Sequence, residues 1–190
     1  MPRLFTALEI PLAARTRLSL MRAPLNGARW VDAENMHITL RFAGDIDGRA
    51  ADELADQLAD VIARPFTVSI VDAGAFGGRD PRVLWAGVEL NPELDALYRA
   101  NERAARAVGL EPDPRAFKPH VTLARMRGVR QKAVAQFLGE YGDLRLEPFE
   151  VSRFVLLSAR PGSGGPPYGI EAEYPFEGLD IADQAAEWAR

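Results

Sequence analysis

The chain contains no cysteine. That excludes a disulfide framework, a thiolate nucleophile and a cysteine-ligated metal. It also lacks any apolar run of about 18 residues, the length a membrane-spanning helix needs, so no membrane role is expected. Net charge is −4 and the pI is near 5.3. A broad basic surface of the kind that coats long nucleic acid is therefore missing, whereas a small phosphorylated ligand or a strand end stays compatible. The opening stretch is broken by Glu9, Pro11, Arg15 and Arg17. It does not read as a secretory signal, and a cytoplasmic address is expected. With 47% hydrophobic and 26% charged residues over 190 positions, the chain has what an ordinary globular core requires. Histidine is the scarcest informative residue: there are two.

Each histidine opens the same four-residue phrase. His37-Ile38-Thr39-Leu40 is the first copy and His120-Val121-Thr122-Leu123 the second. Around the first copy, Met36, Ile38, Leu40 and Phe42 alternate with His37, Thr39 and Arg41. That is the period-2 pattern of a half-buried strand, in which residues i and i+2 share a face. His37 and Thr39 thus share one face, and His120 and Thr122 share another. The copies are 83 residues apart, and the likeness continues past them. Phe66-Thr67-Val68-Ser69 begins 29 residues after His37, and Phe149-Glu150-Val151-Ser152 begins 29 residues after His120. The chain reads as one unit duplicated, each copy running strand, helix, strand and one further strand, near Val83 and near Tyr168. Packing about a pseudo-twofold axis would bring the two phrases face to face across a cleft.

In order, the pattern predicts a strand from Leu4 to Ile10 and a helix from Ala13 to Met21. The first phrase closes at Gly44-Asp45. A helix is expected from Arg49 to Ala63, a strand from Phe66 to Ala73, a glycine-rich loop from Gly74 to Pro81, and a strand from Val83 to Leu90. Pro92, after Asn91, starts a helix that Gly109 caps. A proline-rich loop delivers His120. A helix from Val129 to Tyr141, a strand from Phe149 to Ser158, a turn-rich loop from Pro161 to Gly169 and a strand from Tyr168 to Tyr174 follow. Asp180 to Ala189 reads as a terminal helix.

Two imidazoles across a cleft suit paired acid–base chemistry, because their reference pKa near 6.5 lets one be neutral while the other is protonated. In-line displacement at phosphorus places the entering and leaving oxygens on opposite sides, and the threonine hydroxyls beside the histidines could donate to non-bridging oxygens. Arg125, just after the second phrase, offers a fork of donors to phosphate. A metal site is the rival reading. Two histidines rarely suffice, and no carboxylate stands two or four positions beyond either one, so no metal and no cofactor is expected. The Gly162-Ser163-Gly164-Gly165 stretch lacks the Lys-Ser/Thr ending of a phosphate-cradling loop. Arg127, Arg130 and Lys132 read as solvated surface.

These phrases resemble the two His-x-Thr/Ser-x motifs that define the 2H phosphoesterases, and within them the RNA 2′,3′-cyclic phosphodiesterases, also called 2′-5′ RNA ligases. Arg3-Leu4-Phe5, Trp30-Val31, Asn35-Met36, Pro81-Arg82-Val83-Leu84-Trp85 and Phe117-Lys118-Pro119 are similar to that family too. The resemblance covers about Arg3 to Tyr174. It implies an α+β fold of two antiparallel sheets about a pseudo-twofold cleft with helices outside, in one domain over residues 1–179, with 180–190 as a tail. It also implies hydrolysis of a terminal RNA 2′,3′-cyclic phosphate to a 2′-phosphate, and reversible 2′-5′ ligation in some members. By this likeness His37 and His120 are catalytic, while Thr39, Thr122 and Arg125 hold the phosphate. The partner is an RNA terminus or nucleotide bearing the cyclic phosphate, bound by a monomer without an obligate protein partner. Because Phe42 stands where the second copy has Arg125, His120 is expected as base and His37 as acid. Thr6 departs from the family, which often has a second bulky residue after Phe5. Two other readings are a cyclic phosphodiesterase of small nucleotides and a nucleotide-binding module without turnover.

Overall fold

The computed structural model describes residues 3–159 and 167–177. Its first half runs β1 (Arg3–Glu9), α1 (Leu12–Ser19), β2 (Ala28–Trp30), a 3₁₀ turn (Ala33–Asn35), β3 (His37–Asp45), α2 (Gly48–Ala59), β4 (Phe66–Val68) and β5 (Ile70–Phe76). Its second half runs β6 (Val83–Val88), α3 (Pro92–Ala107), β7 (His120–Met126), α4 (Gln131–Tyr141), β8 (Phe149–Val151), β9 (Arg153–Ala159) and β10 (Tyr168–Pro175). The helices begin where local chemistry starts them. The Asp47 side chain accepts from the Ala50 amide and Asn91 from the Leu94 amide, each satisfying an orphan donor of the first turn. Apolar stripes then bury Leu54 and Leu58 of α2, and Leu94, Leu97, Ala104 and Ala105 of α3. The α2 helix stops at Ala59 rather than Ala63. Its stripe ends at Leu58, Ile62 is 74% exposed, and the position before Pro65 disfavours helix.

The strands pair in the order β10-β9-β1-β3-β7-β6-β5, with β2 added to β7, while β4 and β8 form a separate pair. Every pairing is antiparallel. The eight-stranded sheet is two lobes, because β3 meets β7 at one residue pair alone, Ile38 against Val121. Those two residues are 83 apart, as the histidines are. In the small sheet Thr67 faces Glu150, again 83 apart. An antiparallel pair in which a residue faces its own repeat equivalent lies on a local twofold axis. Two such points define the axis, and the duplication read from the sequence is a spatial symmetry.

The limits of the repeat differ from those read in the sequence. The strand near Val83 does not close the first copy. It opens the second: β6 flanks β7 as β1 flanks β3, while β5 and β9 each cross to the opposite lobe. Sequence spacing carries no record of which strand a strand will pair with. The single strands expected from Phe66 and from Phe149 are each divided, at Ser69 and at its equivalent Ser152. In each copy three residues go to the axial pair and the rest to a lobe. The β5 strand also runs through Gly74, expected as loop. A Cβ there would lie 2.2 Å from the Trp85 indole, so glycine is what lets this strand pass the ring. The helix expected over Asp180 to Ala189 and the loop from Pro161 to Pro166 lie outside the described residues.

The helices cover one face of the sheet. Leu8, Ile38, Leu84, Val121 and Leu123 point into that core and are fully buried, each contributing about 1.5–3 kcal/mol. The other face carries a smaller apolar cluster of Phe5, Ala7, Val155 and Leu157, with Tyr168 packed against it. This cluster floors the side of the cleft on which His37 stands. Among the described residues no helix is long and apolar enough to cross a membrane.

Candidate active site

His37 and His120 are the first residues of β3 and β7, the two strands that meet on the axis. Strand alternation turns Ile38, Leu40, Val121 and Leu123 into the core and leaves His37, Thr39, His120 and Thr122 on the cleft face, partly exposed. In each copy the alternation then breaks. Thr6 and Ala7 of β1 face Arg41 and Thr39, skipping Leu40, and Leu84 and Trp85 of β6 face Ala124 and Thr122, skipping Leu123. Leu40 and Leu123 are equivalent positions, so both histidine strands carry the same β-bulge. One extra residue exchanges the two faces. Phe42 and Arg125, which strict alternation would turn toward the core, join the cleft face instead; Phe42 is 44% exposed and Arg125 is exposed.

The same bulge removes Arg41 from the face the sequence pattern gave it. It is buried on the helix side, ion-paired with Glu102 of α3 and bonded to the carbonyls of Phe42 and Glu111. Thr6, buried and between Leu4 and Leu8 on β1, also faces the helices. A bulky residue at that position would not reach the cleft.

Both imidazoles are fixed in the same way. The His37 Nδ1–H donates to the Asn35 carbonyl at 2.8 Å, and the His120 Nδ1–H donates to the Lys118 carbonyl at 2.7 Å. A carbonyl has only lone pairs to offer, so Nδ1 holds the hydrogen and Nε2 is the atom that exchanges protons with the cleft. The two carbonyls are placed by different local devices. Asn35 ends the 3₁₀ turn, whereas Lys118 precedes Pro119, which holds it extended.

Aromatic rings pack each histidine. Phe5 lies 5.0 Å from the His37 ring centroid, and Tyr168 meets the ring edge-on at 5.2 Å. Phe76 meets His120 edge-on at 5.0 Å, with Trp85 at 6.4 Å. The Lys118 ammonium stands 4.3 Å above the Trp85 ring. The sequence named Phe5, Trp85 and Lys118 only as points of likeness; Tyr168 and Phe76 as neighbours of the histidines are new. The signal of those two is tertiary, since strands far from each histidine in the chain supply them.

Burial pushes His37 down to about 4. The bond to Asn35 opposes that shift, while the charges of Arg125 and His120 add to it. His120 is lowered as well, first by burial, against the bond to Lys118, with Lys118 and Arg115 adding positive charge. Positive charge and low polarity thus make both rings poor proton holders in the free protein. An anion placed between them reverses the electrostatic part of that penalty. Neither threonine hydroxyl is engaged by another described residue, and Arg125 has no acidic partner among them. All five residues expected at the site stand on one face of the sheet. Among the described residues no three histidine, aspartate or glutamate side chains converge as metal ligands do.

Two successive segments of the chain, residues 8–85 and 88–168, each match the profile of the family described as LigT like Phosphoesterase. The chain is 38% identical over 141 residues to the RNA 2′,3′-cyclic phosphodiesterase of Aeropyrum pernix, covering 73% of this chain and 80% of that protein. It is 31% identical over 175 residues to the enzyme of the same name from Methanothermobacter thermautotrophicus, covering 87% and 94%. Among solved structures, Escherichia coli LigT complexed with 3′-AMP superposes with a TM-score of 0.77 at 24% identity, over 94% of this chain and all of that one. TT0787 of Thermus thermophilus gives 0.78 at 22%, over the same shares. The symmetry axis, the repeated bulge and the paired profile matches describe one duplication, and with relatives this similar over most of their length the chain belongs to the LigT-like phosphoesterases.

Proposed function

We propose that this protein hydrolyses the terminal 2′,3′-cyclic phosphate of RNA to a 2′-phosphate, with the two histidines as its acid and base. The observation that carries the reading is the equivalent anchoring of the rings: each Nδ1–H is held by a carbonyl two residues upstream, which frees both Nε2 atoms. The names of the relatives supply the substrate class, and the 3′-AMP complex of Escherichia coli LigT supports a nucleotide as ligand. In the reaction, water attacks phosphorus while His120 Nε2 takes its proton. The P–O3′ bond breaks opposite, and His37 Nε2 delivers a proton to O3′. A ring that resists protonation as His37 does is a strong donor once protonated, and the anionic substrate is what lets it take up the proton. Thr39, Thr122 and Arg125 hold the non-bridging oxygens. Reversible 2′-5′ ligation would use the same groups in the same roles, with a 5′-hydroxyl in place of water and O3′ leaving, and cleavage of the 2′-5′ linkage would run that step backward. The protein acts as a cytoplasmic monomer in this reading.

Two outcomes follow from the electrostatics. Both free-state pKa values are lowered, so the singly protonated pair exists at lower pH than ordinary imidazoles would give. The kcat/KM profile, which reports the free enzyme, is therefore a bell centred below about 6.5. The kcat profile lies at higher pH, because the bound phosphate anion raises both groups. The two limbs belong to the coupled pair rather than to single residues. A kcat/KM maximum at or above pH 7.5 would contradict the desolvated cleft. Prolonged EDTA treatment followed by gel filtration leaves turnover intact; loss that Zn²⁺, Mn²⁺ or Mg²⁺ restores would remove the two-histidine mechanism.

A further inference from the structure

The β2 strand is three residues long and fills the wedge that opens where β3 leaves β7. Its register sets Ala28 against Met126, Arg29 against Arg125 and Trp30 against Ala124, and the Val31 amide continues the ladder to the Leu123 carbonyl at 2.9 Å. Two of its side chains serve the core. Trp30 packs 5.8 Å from Phe137 and donates its indole N–H to the Ala23 carbonyl at 3.1 Å, and Ala28 packs against the main apolar cluster. The remaining side chain is Arg29. Directly opposed residues of an antiparallel pair point to the same face, so Arg29 stands on the cleft face beside Arg125.

The start of this strand is fixed as tightly as its end. Gly27 has φ +90°, and a Cβ there would lie 2.3 Å from the Arg127 carbonyl oxygen. The Gly27 carbonyl meanwhile accepts from the Arg127 amide at 2.9 Å. Only glycine lets the chain turn this close to β7. The result is a short strand, pinned at both ends, whose one outward side chain is placed directly opposite another arginine.

Like charges directly opposed across a ladder destabilise it, and here no ion pair among the described residues offsets them. Neither Arg29 nor Arg125 has an acidic partner among the described residues, whereas Arg3, Arg22, Arg41, Arg99 and Arg153 all do. Arg125 also reaches far enough into the cleft for its charge to lower His37. A pair of unneutralised guanidinium forks, one at the reacting phosphate and one a strand further out, fits two successive phosphates of one strand.

Resting on the proposed function, we infer that Arg29 binds the internucleotide phosphate immediately 5′ of the terminal cyclic phosphate, making this protein selective for an RNA end over a mononucleotide. Arg125 serves the reacting group and Arg29 the next one. The contact is to backbone, so it carries no base preference. Arg29 is a binding residue that does not touch the reacting atoms.

The test compares wild type with Arg29→Ala and Arg29→Gln on two substrates, a mononucleoside 2′,3′-cyclic phosphate and a tetranucleotide ending in one. The ratio of kcat/KM, tetranucleotide over mononucleotide, falls about tenfold or more in both variants, mainly through KM. Affinity for the tetranucleotide 2′-phosphate product, read by fluorescence anisotropy, falls in parallel. Its salt dependence loses about 0.7 in log–log slope, the share of one single-strand phosphate. Thermal stability of the free variants is equal or higher, since a like-charge pair has been relieved; a merely structural Arg29 would lower it. An unchanged ratio with an unchanged salt slope overturns the inference, and so does an equal loss on both substrates. If wild type turns over neither substrate, the proposed function fails, and the anisotropy comparison still decides the role of Arg29.

Discussion

His37→Ala and His120→Ala each lower kcat/KM on a 2′,3′-cyclic phosphate oligonucleotide by about 10²–10⁴, or about 3–5.5 kcal/mol of transition-state stabilisation. The native circular dichroism spectrum is kept. The effect is large because, in the proposed mechanism, each ring supplies a proton transfer for which the aromatic rings packed on it offer no substitute: Phe5 and Tyr168 at one histidine, Phe76 and Trp85 at the other. The fold is spared because the residues that join the lobes are Ile38 and Val121, not the histidines beside them. The double variant falls little further than either single one, since the two groups act as a unit. An activated substrate whose leaving group needs no proton separates the roles. It restores His37→Ala far more than His120→Ala. Restoration of His120→Ala instead would exchange acid and base. A single variant with near-native turnover would remove that histidine from the mechanism.

Arg125→Ala costs about 10²–10³ in kcat/KM, the usual loss when one fixed donor to a developing oxyanion is removed. Arg125→Lys recovers little, because an ammonium cannot reproduce the planar fork. The variant has a second signature. Arg125 is one of the charges that hold His37 down, so Arg125→Ala raises the proton affinity of His37 in the free protein. The kcat/KM bell of the coupled pair then moves to higher pH. Wild-type kinetics in both variants would place Arg125 on the surface; a large rate loss with an unmoved pH profile would deny its electrostatic link to His37.

What could be read from the sequence was whatever repeats or alternates. The histidine phrases, the capped helices after Asp47 and Asn91, and the duplication itself all follow local rules. The site was half legible. His37, Thr39, His120 and Thr122 share a face by alternation alone. Phe42 and Arg41 were assigned to the wrong faces, because a bulge leaves no local mark: Leu40 is as apolar as any core residue, and only pairing with β1 shows that it is the extra one. Arg125 was singled out by its place just after the second phrase and by likeness, and it reaches the cleft face through the same device on β7. The carbonyls of Asn35 and Lys118 could not have been named, since every residue has one. Arg29 was invisible for a related reason. Its position depends on a three-residue strand too short to show a period, held in place by Trp30 and Gly27.

The central claim is that two equivalent Nε2 atoms move protons on opposite sides of a cyclic phosphate. The most direct measurement is incubation of EDTA-treated protein with an oligonucleotide ending in a 2′,3′-cyclic phosphate, the product isomer being identified by ³¹P NMR. The account predicts complete conversion to the 2′-phosphate by wild type, and none above background by the His37→Ala/His120→Ala double variant. A 3′-phosphate product, or conversion by the double variant at the wild-type rate, would contradict it.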